Sequence, residues 1–361
     1  MARASRSRRN VVGLDVEPTH MAAAEASANG RVAVERAAVA PLAPGLVRDG
    51  EVTDPQGLAA ALKEFFSAHK LPKRVRLGVA NQRIVVRTID LPPLEPGREL
   101  DAAVRFQAQE HIPMSLDQAV LDYQPLGRVN TEQGERSRVV LVAARRDMID
   151  RLLAAVGGAG LRVDGIDLSA FAMMRALGGD DAATDVGEDA TQPGATLYVS
   201  VGGLTNLAIG TAGVCHFTRV TTGGLDAMIT DLAERRALTR EHAEQWLEHV
   251  GLTSPVDAIE GDPEIVGEAR NVLSAGVDRI VDEVRNSLDF YSAQGTGVPV
   301  ERALVTGPAV AIPGFVEQVD GGLAVPVTAG AVAEARAGAL HGLQPGRVTV
   351  AAGLAVAEVA A

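Results

Sequence analysis

The chain has 361 residues, a formal net charge of −12 and 47% hydrophobic residues. This length allows two domains with a large buried core, whereas the acidic balance excludes a broad basic surface for nucleic acid. No apolar run reaches the roughly 18 residues of a membrane-spanning helix, and the single cysteine, Cys215, predicts a reducing, cytoplasmic environment without an internal disulfide.

The chain opens on a basic segment, because four of its first ten residues are arginines. We predict a disordered tail over 1–10. The next stretch, 11–37, is typical of a short apolar strand, a sharp turn and two more strands that reverse near Gly30. A helix then follows, because Asp54 is a good N-cap and Pro55 a good first helical residue.

Two further strands are predicted at 76–80 and 84–89, before Pro92 and Pro93 interrupt the pattern. A helix over 98–111, strands at 120–126 and 139–144 and a helix at 148–156 come next. This mixture predicts a compact inserted subdomain over 91–164. The flanking ranges 11–90 and 165–178 then form the core of a first lobe.

An acidic, aperiodic segment at 179–194 predicts a linker or loop. After it, 197–224 repeats the plan of 11–37, again reversing near a glycine, Gly213. We predict a second lobe core from 195–224 and 300–361, with a helical subdomain over 225–299. Each predicted lobe thus begins with the same hairpin. A fold that binds a phosphate chain between two lobes needs such a pair of hairpins.

Several residues at these hairpins are of the kind that holds nucleotide phosphates. In the superfamily of sugar kinases, chaperones and actin, two such turns face each other, backbone N–H groups hold the phosphates, and a carboxylate positions Mg²⁺. The chain resembles that plan at Asp15, which would serve the metal, and at Thr19, Gly202, Gly203, Thr205, Asn206, Gly223, Gly224 and Gly307. Each glycine pair also has a structural explanation, as a hairpin turn or as a loop before a helix.

A more specific resemblance lies in the predicted insertion. The sequence LPPL at 91–94, followed by AVRFQAQEHIPMSLDQAVLDYQPLG at 103–127, resembles PilM, a family of cytoplasmic actin-like proteins of the type IV pilus machinery. The likeness continues through Gly165–Asp167, Phe217–Arg219, Ser287–Tyr291 and Gly353–Ala355. It covers nearly the whole chain after the basic tail.

This resemblance implies a fold, a place and partners. The fold would be α/β, an actin-like and ribonuclease-H-like duplicated two-lobe fold with an α+β subdomain inserted in the first lobe, as in FtsA. The protein would lie at the inner face of the cytoplasmic membrane and bind the N-terminal cytoplasmic peptide of a PilN-like protein, in a groove between the first lobe and the insertion. It would thereby connect the pilus platform to its motor proteins, and ATP with Mg²⁺ would be its cofactors.

The chain departs from the family pattern at the phosphate turns. Glu17 stands in place of a glycine, Pro18 lacks an N–H and Ala22 replaces a lysine, while Ser200 and Pro308 replace an aspartate and a glycine. A carboxylate about 4 Å from a phosphate costs about 4 kcal/mol at an effective dielectric constant of about 20, roughly a thousandfold in affinity. We therefore predict weakened nucleotide binding and assign no catalytic residue.

Two other functions remain open at this point. A small-molecule kinase of the same superfamily would need an intact phosphate clamp, which both turns lack. An FtsA-like filament-forming ATPase would carry a basic amphipathic membrane helix at its end, whereas the last residues, AAGLAVAEVAA, include no basic side chain. A scaffold that binds a peptide is the interpretation that the residues favour.

Overall fold

The computed structural model describes residues 11–132, 134–179, 194–293 and 298–356. The predicted tail at 1–10 and nearly all of the predicted linker at 179–194 lie outside these ranges.

Residues 12–79 build most of the first lobe. The elements there are β1 (Val12–Val16), β2 (His20–Asn29), β3 (Arg31–Pro41), β4 (Val47–Arg48), β5 (Glu51–Val52), α1 (Pro55–Ala68) and β6 (Arg74–Val79). The Asp54 side chain accepts hydrogen bonds from the N–H groups of Gln56 and Gly57, which confirms the predicted cap of α1. Gly30 has a φ of +84° and reverses the chain between β2 and β3, as predicted.

The next part of the chain leaves this lobe and returns to it. Its elements are β7 (Val85–Leu91), α2 (Arg98–His111), β8 (Ala119–Thr131), β9 (Gly134–Arg145), α3 (Arg146–Gly158), β10 (Arg162–Leu168) and α4 (Ser169–Leu177). Strands β7, β9 and β8 form a separate three-stranded sheet that packs on α2 through its own apolar cluster.

The remaining elements begin with the second lobe. They are β11 (Ala195–Val201), β12 (Thr205–Thr211), β13 (Val214–Thr221), α5 (Leu225–Arg236), α6 (Arg240–Val250), α7 (Pro263–Ala293), β14 (Val300–Thr306), α8 (Phe315–Gly322), β15 (Val327–Ala329), β16 (Ala333–Glu334) and α9 (Thr349–Ala355). Helices α5 to α8 and the sheet formed by β11 to β15 share one apolar core. None of the helices in the described ranges has both the length and the apolar character of a membrane span.

The two lobes repeat one strand order. Within the described residues the first sheet runs β10-β6-β1-β2-β3-β16, and the second runs β15-β14-β11-β12-β13. In each sheet the first strand of the lobe pairs antiparallel with its hairpin partner and parallel with a later strand. The turns that follow β1 and β11 therefore occupy equivalent places in the two lobes, as the sequence repeat predicts.

The structure differs from the predicted domain ranges at three points. The inserted sheet begins at Val85, before the predicted boundary at 91. Helix α3 packs on α1 through Met148 and Leu152, because its buried face continues the core of the first lobe. The chain after residue 330 also returns to the first lobe: β16 pairs with β3, and α9 lies against β1, β2 and α4. The predicted range 300–361 therefore combines elements from both lobes.

Candidate functional site

The two equivalent turns meet between the lobes. The first turn, residues 17–19, follows β1, and the second turn, residues 202–204, follows β11. The backbone N–H of Gly203 donates a hydrogen bond of 2.7 Å to Oε2 of Glu17, across 186 residues of sequence. The carboxylate of Glu17 thus takes the N–H group that a phosphate oxygen would need.

Close approach explains why the second turn carries two glycines. A Cβ atom on Gly202 would lie 2.6 Å from Oε2 of Glu17, and one on Gly203 would lie 2.8 Å from Cδ of Pro18. Both distances are far below van der Waals contact, so a side chain at either position would displace the first turn. These glycines fit the first turn of this chain.

A second contact joins the turns through a polar side chain. Oγ1 of Thr19 donates to Oδ2 of Asp226 over 2.7 Å, and Asp226 lies in the first turn of α5. The other carboxylate oxygen of Asp226 lies 3.3 Å from Nη2 of Arg240. Thr19 was predicted to contact a nucleotide, and it contacts the opposite lobe instead.

Asp15 is a buried carboxylate near the end of β1. Burial raises its pKa to about 7, with a further increase from the negative charge of Glu17. Oγ of Ser169 lies 3.4 Å from Oδ1 of Asp15 and opposes the shift. Without a bound cation, Asp15 is therefore partly protonated at neutral pH.

The charges around Glu17 come from both lobes. Burial is the largest cause that raises the pKa of Glu17; Asp226 adds to the rise, while the Gly203 N–H and the charge of Arg347 oppose it. His20, beside the first turn, has a pKa lowered to about 4 by burial and by the charges of Arg347 and Arg240. The sequence reading missed Asp226, Arg240 and Arg347, which no local motif singles out.

A small cavity remains between the two turns, and we call it the turn cavity. Its volume is about 50 Å³, and its polar lining includes Asp15, Glu17, Ser169, Ser200 and Asn206. Pockets for cofactors usually measure about 300–1,000 Å³, so this space suits a few water molecules. In this arrangement the residues do not fit a magnesium nucleotide.

The other predicted site residues have structural roles. Oγ1 of the fully buried Thr205 donates to the carbonyl of Gly223 over 2.7 Å. Gly224 precedes α5, where a Cβ atom would lie 2.3 Å from the carbonyl oxygen of Gly202. Gly307 has a φ of +95°, and its carbonyl oxygen would lie 2.2 Å from a Cβ on Gly346. The backbone at Gly307 is therefore packed directly against the backbone at Gly346.

Asn206 alone among the predicted residues keeps an unused polar atom. Its side chain is buried, and Oδ1 has no hydrogen-bond partner among the described residues. Asn206 lines the turn cavity and also a larger space, about 750 Å³, that we call the interlobe groove. Val79 and Ala80 line both spaces as well, so the two adjoin.

The interlobe groove lies where the first lobe, the inserted sheet and the second lobe come together. The first lobe contributes the loop 79–82, the inserted sheet contributes β7 through Val85 and Arg87, and the second lobe contributes 218–223 on β13 and after it. Helix α7 adds a charged wall of Arg279, Asp282 and Glu283. Arg219 of β13 lies 3.2 Å from Glu283 across this wall. The groove is thus wide and polar, in contrast to the turn cavity.

Comparison with known proteins gives a consistent result. The family model described as type IV pilus assembly protein PilM matches residues 13–337. A structure titled "PilM-PilN type IV pilus biogenesis complex" is similar at a TM-score of 0.76 and 23% identity, covering 96% of this chain and 98% of that one.

Two more distant structures share the fold. The ethanolamine utilization protein EutJ from Carboxydothermus hydrogenoformans matches at a TM-score of 0.53 and 15% identity, over 97% of this chain and 90% of that one. MreB5 of Spiroplasma citri bound to ADP matches at 0.53 and 14% identity, over 96% and 95%. With the repeated strand order, these likenesses confirm the predicted actin-like two-lobe fold.

Proposed function

The chain belongs to the family of the type IV pilus assembly protein PilM, and from that premise we propose that it is a peptide-binding adaptor of the pilus assembly platform. Its partner would be the N-terminal cytoplasmic peptide of a PilN-like protein. The proposal rests above all on the family match over residues 13–337. It gains support from the similar fold of a protein whose structure is titled as a complex of PilM with PilN.

The interlobe groove is the surface that best suits such a peptide. Its volume of about 750 Å³ lies within the usual range of ligand sites, about 300–1,000 Å³. One wall is formed by β7, which is hydrogen-bonded to β9 on one side and stands at the edge of its sheet. An extended peptide binds readily along such an edge through its backbone, while neighbouring side chains give specificity.

The polar lining of the groove also suits a peptide. Arg87 and Arg279 offer donors, and Asp282 offers an acceptor. The buried Oδ1 of Asn206, which has no partner among the described residues, would accept a hydrogen bond from a peptide N–H group. Such a bond would remove the cost of leaving a buried acceptor unsatisfied.

Nucleotide is not needed for this role. We expect ATP with Mg²⁺ to bind weakly or not at all and hydrolysis to be absent, because Glu17 holds the Gly203 N–H and the turn cavity is only about 50 Å³. The same observations disfavour a small-molecule kinase and a filament-forming ATPase. The adaptor would be cytoplasmic and would reach the inner membrane through its partners, which would include platform or motor proteins.

The test is calorimetry of the full chain with a synthetic peptide. The peptide would carry the N-terminal cytoplasmic sequence of a PilN-like protein from the same organism, and a scrambled version would serve as the control. We expect a Kd of about 1 μM or tighter, which corresponds to about −8.2 kcal/mol. No heat with this peptide, together with phosphorylation of a sugar or of acetate by the chain, would show that the adaptor proposal is wrong.

A further inference from the structure

The contact between Glu17 and Gly203 has the chemistry of an anion site. Phosphate-binding turns in proteins present backbone N–H groups to anionic oxygens. A carboxylate oxygen is an equivalent acceptor, and a hydrogen bond between an N–H group and a charged oxygen is about twice as strong as a neutral one. Here the N–H group of Gly203 is 2.7 Å from Oε2 of Glu17.

Two features of the surroundings accommodate the contact between Glu17 and Gly203. Gly202 and Gly203 lack the Cβ atoms that would collide with Glu17 and Pro18. The side chain of Arg347 favours the charged form of the Glu17 carboxylate, while burial and Asp226 oppose it. The chain has Ala22 where the resemblance leads us to expect a lysine, so Arg347 supplies a positive charge that Ala22 cannot.

A second bond reinforces the first from a neighbouring residue. Thr19 donates to Asp226 on α5, whereas Glu17 accepts from the second turn itself. The first turn therefore reaches two separate elements of the second lobe. Asp226 is in turn held by Arg240 of α6.

We propose that the Glu17 carboxylate is a built-in substitute for a nucleotide phosphate, which joins the two turns and keeps the lobes of this chain closed without any nucleotide. The closure is intramolecular, so it does not depend on the concentration of a ligand. The lobes then hold one arrangement at all ATP levels. This inference concerns the contact between the lobes and stands independently of the peptide proposal.

Hydrogen exchange of the full chain, followed by mass spectrometry, tests the inference. In Glu17→Ala we expect about tenfold faster exchange in segments that cover 200–206, because local opening no longer has to break the Gly203 bond. Glu334→Ala is the matched control, since Glu334 also accepts from backbone N–H groups, those of Gly338 and Leu340, but away from both turns. Exchange in 200–206 that is equally slow in Glu17→Ala and in wild type would overturn the inference.

Two additions protect this test against a variant that is merely misfolded. Glu17→Gln keeps the size of the side chain and removes its charge, so its exchange should lie between those of wild type and Glu17→Ala. Pyrophosphate added to Glu17→Gly should slow exchange in 200–206, because the freed N–H group can take an external anion. Equal slowing of wild type by pyrophosphate would overturn the inference.

Mg-ATP and thermal unfolding provide the last readout. Wild type should show no melting shift at millimolar Mg-ATP, since the carboxylate already holds the turn. A shift above about 3 °C that is lost in Asp15→Ala would show that nucleotide binds despite Glu17, and it would overturn the inference. No peptide enters any of these measurements, so their outcome is separate from that of the peptide calorimetry.

Discussion

The turn cavity and the interlobe groove adjoin, yet they differ greatly in size and in what fills them. The turn cavity measures about 50 Å³ and the groove about 750 Å³. Glu17 and Pro18 fill the first from within the chain, whereas the second is walled by the inserted sheet and by α7. In this fold one space between the lobes is thus closed by the chain itself, while the space beside it stays open.

The difference teaches where function lies in this chain. A site is grafted on a fold, and the fold alone does not determine which of its clefts is used. In this chain Glu17 and Thr19 of the first turn bond to the opposite lobe, while Oδ1 of Asn206, which lines both spaces, has no partner among the described residues. An unsatisfied buried polar atom points to a ligand more directly than a glycine in a tight turn does.

The largest expected effect comes from a substitution in the packing of α4 against α9, which supports both the turn cavity and the interlobe groove. Helices α4 and α9 cross so closely that a Cβ on Gly353 would lie 1.8 Å from the carbonyl oxygen of Ala172. We expect Gly353→Ala to lower the free energy of unfolding by about 2–3 kcal/mol, because overpacking of this kind forces the backbones apart. Urea denaturation would measure it.

The control for this variant is another helical glycine. Gly267 lies in α7, and nothing is within 4 Å of the place of its Cβ. Gly267→Ala should stabilise the chain by about 0.4–1 kcal/mol through the unfolded state. If both substitutions changed the free energy of unfolding only slightly, the packing of α4 against α9 would tolerate a larger side chain. It would then not determine the shapes of the turn cavity and the interlobe groove.

The second expected effect comes from filling the groove while the turns stay intact. Thr218 lines the groove on β13, and a tryptophan there would occupy space that a peptide needs. We expect Thr218→Trp to weaken binding of the PilN-type peptide by at least about tenfold, or about 1.4 kcal/mol. Calorimetry would measure the Kd, and exchange in 200–206 should stay as in wild type.

The matched control places the same side chain elsewhere. Thr328 is exposed on β15, outside the groove. Thr328→Trp should leave the Kd of the peptide unchanged. If the affinity were unchanged in Thr218→Trp as well, the peptide would bind at another surface, and the interlobe groove would not be the peptide site.

The sequence predicted the repeated hairpins and the helix caps because their signals are local. Asp54 caps α1 through Gln56 and Gly57, two and three residues away, and Gly30 reverses a hairpin whose strands are adjacent in the chain. The helix predicted over 98–111 is also observed at those bounds, as α2. Such features depend on short-range geometry, which a single sequence specifies well.

Contacts between residues far apart in the sequence could not be predicted in this way. The sequence showed Glu17 as an obstacle to phosphate but did not show that its carboxylate bonds to Gly203, 186 residues away. It also assigned the end of the chain to the second lobe, although β16 pairs with β3. The reason is physical: a two-residue strand and an apolar helix carry no signal for which sheet they join.

The smallest expected effect is a pH dependence of the free energy of unfolding in wild type, which arises from groups beside the turn cavity. The pKa of His20 is lowered to about 4 in the folded chain, from 6.5, by burial and by Arg347 and Arg240. Unfolding therefore takes up a proton below pH 6.5, so this stabilising contribution is present above pH 6.5 and is lost as the pH falls to 4. Asp15 acts in the opposite direction: its pKa is raised to about 7 from 3.8, so its contribution is lost as the pH rises from 4 to 7.

In wild type the His20 contribution should therefore offset much of the opposite Asp15 contribution between about pH 4.5 and about pH 6.5. In His20→Gln the raised pKa values of Asp15 and Glu17 are no longer opposed by His20, so the free energy of unfolding should fall as the pH rises, by about 2–3 kcal/mol over about two pH units. Urea titrations at several pH values would measure this, with the exposed His341 replaced by Gln as the control. A His20→Gln profile parallel to wild type would mean that His20 protonates as readily in the folded chain as in the unfolded one, and that Arg347 and Arg240 do not govern charge beside the first turn.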